Sequence, residues 1–84
     1  MKENIVTDIS RHHRLRAEIE ELMPTLRALA EAICRNPTDA EDLVQETVAT
    51  TLASLAQFPE GTSLEWWMFA TMYDSFRRKF EISK

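Results

Sequence analysis

Eighty-four residues, 44% of them apolar, with one glycine and three prolines, suit one small helical domain rather than a disordered chain. No apolar run is long enough to cross a membrane and no signal-peptide core opens the chain, which argues for a cytoplasmic protein without a membrane partner. A net charge of −4 is unexpected for a nucleic-acid binder, and its layout matters more than its sum. From Glu18 to Glu65 ten acidic residues face only Arg27 and Arg35, while residues 1–17 and 66–84 each come out at +2.

Residues 1–13 carry Ile5, Val6 and Ile9 at loose helical spacing, so this arm is either flexible or a short helix, ahead of a domain over 14–84. His12 and His13 are neighbours that do not share a helix face. Zinc needs three or four convergent ligands, so neither a metal site nor a cofactor is expected. From about Leu15 to Arg35, the spacing of Ile19, Leu22, Leu26, Leu29 and Ile33 predicts a helix with one core stripe. Pro24 falls inside it, where the helix either kinks or restarts. Asn36-Pro37 ends the segment, because a residue before proline avoids helical angles. The single cysteine, Cys34, has no internal disulfide partner and reads as a small apolar residue.

A second helix is predicted from about Thr38 to Gln57. Thr38 with Glu41 has the spacing of a capping box, and Asp39, Glu41 and Asp42 crowd the first turn, where the helix dipole favours negative charge. Leu43, Val48, Leu52 and Leu55, with Val44, Thr47 and Thr51 beside them, form the predicted apolar stripe. Asp42, Gln45, Glu46 and Ala49 fall on another, polar face.

Phe58-Pro59-Glu60-Gly61 breaks the chain, with Gly61 able to take positive φ. Thr62 with Glu65 has the spacing of a second capping box, opening a last helix that runs to about Phe80. Its predicted seam is Leu64, Trp67, Met68, Thr71, Met72, Ser75 and Phe76. Trp66, Phe69, Tyr73 and Phe80 lie partly or wholly off it. Exposed aromatics can pack on the N-terminal arm or a partner, or stack on unpaired bases beside the phosphate-holding cations Arg77, Arg78 and Lys79. The expected fold is therefore all-α, a compact bundle of three or four helices. No nucleophile–base pair, phosphate loop or metal cluster suggests an enzyme.

The run Asp39-Ala40-Glu41-Asp42-Leu43-Val44-Gln45-Glu46-Thr47 resembles region 2.2 of bacterial RNA polymerase sigma factors of the extracytoplasmic-function (ECF) type. The likeness extends to both sides. Leu22-Met23-Pro24-Thr25-Leu26-Arg27-Ala28-Leu29-Ala30 is similar to the helix before it. Phe58-Pro59-Glu60-Gly61-Thr62 is similar to the connecting turn, and Leu64 to Phe80 to the promoter-contacting helix. The chain looks most like the group that runs the general stress response in some proteobacteria. Leu64, Trp67 and Phe69 match the family's promoter-helix pattern, and Met68 and Met72 are conservative. Glu65 replaces a basic or neutral residue and Tyr73-Asp74 replaces an Arg-Asn pair, which removes positive charge from the face that meets phosphates.

The resemblance implies a region 2 domain that takes part in transcription initiation. By that likeness Asp39, Asp42, Leu43, Gln45 and Glu46 would bind the β′ clamp helices of core RNA polymerase. Trp66, Trp67, Tyr73, Arg77, Arg78 and Lys79 would meet the non-template strand of the melted −10 promoter element. The alternative is a sigma-like mimic that works by protein contacts alone, engaging an anti-sigma factor or competing for polymerase. Family members carry a further helical domain that reads the −35 element. This sequence stops before it, as a first-domain piece or a single-domain protein would.

Overall fold

A computed structural model describes residues 2–80, with side chains placed for residues 9–79. Among them are three α-helices and no strand: α1 (Lys2–Ile33), α2 (Pro37–Ala53) and α3 (Leu64–Phe80), with a short 3-10 turn at Leu55–Gln57. The all-α bundle is thus built of three helices. The side chains of Ile5, Val6 and Phe80 lie outside the described residues.

Helix α1 begins at Lys2 and runs unbroken through Pro24. Proline there leaves the Glu20 carbonyl without its N–H partner, but Pro24 lies on the exposed side of the helix, where water can serve that oxygen. At ~1.5 Å per residue, α1's 32 residues account for the 47 Å long axis of the molecule. The inner face buries Leu15, Ile19, Leu26 and Ala30, with Leu22, Leu29 and Ile33 partly covered.

Helix α2 starts earlier than Thr38. Asn36 is extended (φ −131°, ψ 157°), as a residue before proline must be, and Pro37 occupies the first helical position. The Asn36 side-chain oxygen accepts from the Asp39 N–H at 2.8 Å, and its amide donates to the Asp39 carboxylate at 3.0 Å. Asn36 is the cap; Thr38 already lies within the helix. Asn36→Ala should therefore cost about 1 kcal/mol of stability, with Thr38→Ala near neutral. Urea melts of the two variants check the assignment, and the reverse order would return the cap to Thr38.

The α-helix also ends sooner than Gln57. The Ser54 N–H is shared between the Thr50 and Thr51 carbonyls at 3.1 and 3.0 Å, and its hydroxyl donates to the Thr50 carbonyl at 3.0 Å. Bonding thus tightens into the 3-10 turn, which drives Leu55 into the core. The buried stripe of α2 is Ala40, Leu43, Val44, Thr47 and Thr51. Thr47 and Thr51 can be buried because their hydroxyls donate to the Leu43 and Thr47 carbonyls, each at 2.8 Å. Leu52, expected in that stripe, is 36% exposed, and Val48 is half-buried.

Gly61, at φ 82°, makes the turn before α3. Ser63, rather than Thr62, caps α3, since its hydroxyl accepts from the Trp66 N–H at 3.1 Å. Helix α3 buries Leu64, Met68, Met72 and Ser75. Arg11 of α1 fastens the α2–α3 connection: its guanidinium donates to the Phe58 carbonyl, pairs with Glu60 at 3.5 Å and lies 5.8 Å from the Phe58 ring. Phe58 in turn meets Trp67 edge to face, with ring centroids 5.3 Å apart.

Candidate functional site

Two surfaces follow from this packing, one on α2 and one on α3. At about 100° per residue, Asp39, Asp42, Gln45 and Glu46 share one side of α2. Asp42 and Gln45 are exposed, and Asp39 and Glu46 are half-buried. Asp39 is held by Asn36, and Gln45 donates to Glu41 at 3.3 Å. Leu43 lies at the inner edge of that side and points into the bundle. It is 0% exposed and belongs to the core, so it has no surface to offer a partner.

Sequence reasoning missed Glu41 as an organising residue. Its carboxylate accepts from Arg27 of α1 at 2.9 Å and ties the two helices together. Beside that pair, Met23, Val44, Val48 and Leu52 floor a shallow groove between α1 and α2, bordered by Gln45. The predicted α2 stripe contained Val44, Val48 and Leu52 but the α1 stripe left out Met23, and only the helix crossing shows that their edges line one groove.

On α3, Trp66 and Tyr73 are 65% and 58% exposed. Seven residues apart, they lie one above the other, with Ala70 between them and Arg77 continuing the line. The Arg77 guanidinium is 6.0 Å from the Tyr73 ring centroid, and among the described residues it has no carboxylate partner. Arg78, on the flank of this line, pairs with Asp74 at 3.1 Å.

Two residues expected beside them lie elsewhere. Trp67 is half-buried against Phe58, with its indole N–H enclosed and without an acceptor among the described residues. It supports the turn and offers at most one edge. Lys79 lies about 140° around the helix from Trp66 and faces α2. Its ammonium is 3.3 Å from Asp42 and 3.1 Å from Glu46. Hydrogen bonds to Glu46 and then Asp42 raise its pKa, so it stays charged. Lys79 thus joins the acidic α2 face rather than the aromatic α3 face.

Cys34 is half-buried where α1 ends, and burial, with the Asp39 carboxylate second, pushes its thiol pKa up. That favours an unreactive, protonated thiol. Among the described residues no three His, Cys, Asp or Glu side chains converge to hold a metal, and no helix is long and apolar enough to cross a membrane.

An acidic face on α2 and an outward aromatic row on α3 are the two surfaces the fold presents. The chain belongs to the sigma-70 region 2 family, whose model matches residues 19–80. Within the family it is of the ECF type. It is 38% identical over 66 residues to the ECF RNA polymerase sigma factor EcfG of Rhodopseudomonas palustris (strain TIE-1). The match covers 79% of this chain and 36% of that relative, so the chain spans little more than a third of the relative's length.

Proposed function

We propose that the chain acts in transcription initiation in the cytoplasm as the region 2 module of a general-stress-type sigma factor. It docks on the β′ clamp helices of core RNA polymerase through Asp39, Asp42, Gln45 and Glu46, and it offers Trp66, Tyr73, Arg77 and Arg78 to the unpaired non-template strand of the −10 element. The observation that carries this reading is the outward row Trp66–Tyr73–Arg77. Two large aromatics left in water do nothing for folding, whereas an unpaired base supplies a π-face for each and phosphates for the cation. The work is recruitment and strand capture, with no bond made or broken by this chain.

The Arg78–Asp74 pair and the exposed Glu65 favour a second reading, because both lower the positive charge near that row. In it the chain is a mimic that meets only proteins, an anti-sigma factor or polymerase, and leaves DNA alone. Binding of labelled −10 single strand, with and without purified core polymerase, separates the two. Strand retention supports the module; polymerase or anti-sigma capture without any strand supports the mimic. Gln45→Ala with Glu46→Ala should weaken core binding about thirtyfold, the size of a lost interface hot spot. Helix content should hold, since alanine is the better helix former. Unchanged core binding would remove the docking role from this face.

A further inference from the structure

We propose that Lys79 is an internal competitor for the acidic α2 face, occupying the Asp42 and Glu46 carboxylates that a basic partner must take. The inference rests on the docking role proposed above for those carboxylates. Lys79 continues the side of α3 that buries Leu64, Met68, Met72 and Ser75, and it emerges where that seam runs out against the first turns of α2. Its ammonium sits between Asp42 and Glu46, one turn apart, at 3.3 and 3.1 Å. The free domain therefore presents these two acids already partly neutralised.

The occupant is built to be exchanged. A lysine ammonium is a point charge on a flexible stem; its pair with Asp42 lies at the surface and its pair with Glu46 is still reached by water, where such contacts are weak. An arginine from the partner offers a planar fork that can hold a carboxylate through two parallel hydrogen bonds. Replacement of Lys79 is then favourable with arginine and close to neutral with lysine. The partner group that the site selects is a guanidinium.

Lys79→Met keeps the apolar stem and removes the charge. Titrated against core polymerase at low salt, this variant should bind about threefold tighter than wild type, the scale of an exposed ion pair. The gain should shrink as salt screens the face. In an Asp42→Asn, Glu46→Gln background the same substitution should change nothing. Affinity for the −10 single strand should match wild type, whereas Arg77→Ala lowers it.

Equal or weaker core binding by Lys79→Met, with helix content unchanged, would overturn the inference and leave the docking reading standing. Loss of strand binding as deep as that of Arg77→Ala would also overturn it, by returning Lys79 to the DNA contacts. A wild type that retains no core polymerase sinks the docking reading itself. The inference then falls with it, unless Lys79→Met gains measurable binding.

Discussion

Leu43→Ala is expected to destabilise the domain by about 3 kcal/mol, a cost typical of truncating a fully enclosed leucine. In a chain of this size that lowers the melting temperature by roughly 12–24 °C. Leu43 is 0% exposed and sits among Leu26, Val44, Met68 and Met72, so the deleted atoms leave a void in the only core joining the three described helices. Total stability for 84 residues is about 4–12 kcal/mol, so the variant stands near the unfolding threshold. Gln45→Ala, two residues along and exposed, should melt within a few degrees of wild type. Thermal circular dichroism of the two variants decides the matter. If Leu43→Ala melted like wild type yet lost polymerase binding, Leu43 would be an interface residue after all, and the packing of α2 would be wrong.

Leu43 also shows what the sequence could and could not disclose. Apolar spacing located α2, α3 and the part of α1 after about Leu15; residues 2–13, whose loose spacing gives no clear helical stripe, continue α1 instead of forming a separate arm. The break at Phe58–Gly61 was legible because proline and a positive-φ glycine leave few alternatives. Residues adjacent in sequence were harder to separate, because each step turns the helix by about 100°. Sequence adjacency puts Leu43 beside Asp42 and Lys79 beside Arg77 and Arg78, although Leu43 is buried in the core and Lys79 faces α2. The helix starts were ambiguous for a related reason. Thr38–Glu41 and Thr62–Glu65 both fit the capping spacing, but Asn36 before Pro37, and Ser63 in the second case, take the free N–H groups. Thr47 and Thr51 displaced Leu52 from the core because their hydroxyls find carbonyl acceptors one turn back, which hydropathy does not register. The contacts of Arg11 with Phe58 and Glu60, and of Arg27 with Glu41, join residues far apart in the chain. No local pattern encodes them.

The aromatic row supplies the sharper functional test. Trp66→Ala with Tyr73→Ala should lower affinity for a −10 single strand, measured with core polymerase present, by between about fivefold and about ten-thousandfold. Each base that stacks on an aromatic contributes about 1–3 kcal/mol, and the upper end requires both rings to be used. Stability should hardly change, because both rings are largely in water and alanine favours the helix at both positions. Trp67→Ala is the contrasting variant: it removes the edge-to-face contact with Phe58 and should lower the melting temperature, whether or not DNA is bound. Arg77→Ala should act differently again, reducing the dependence of strand binding on salt because one phosphate contact is lost. If Trp66→Ala with Tyr73→Ala left strand affinity untouched while abolishing capture of a protein partner, the row would be a protein interface. Domain stability, base stacking and phosphate attraction thus have separate signatures on one helix. Only the combination of unchanged melting with lost strand affinity assigns Trp66 and Tyr73 to the unpaired bases.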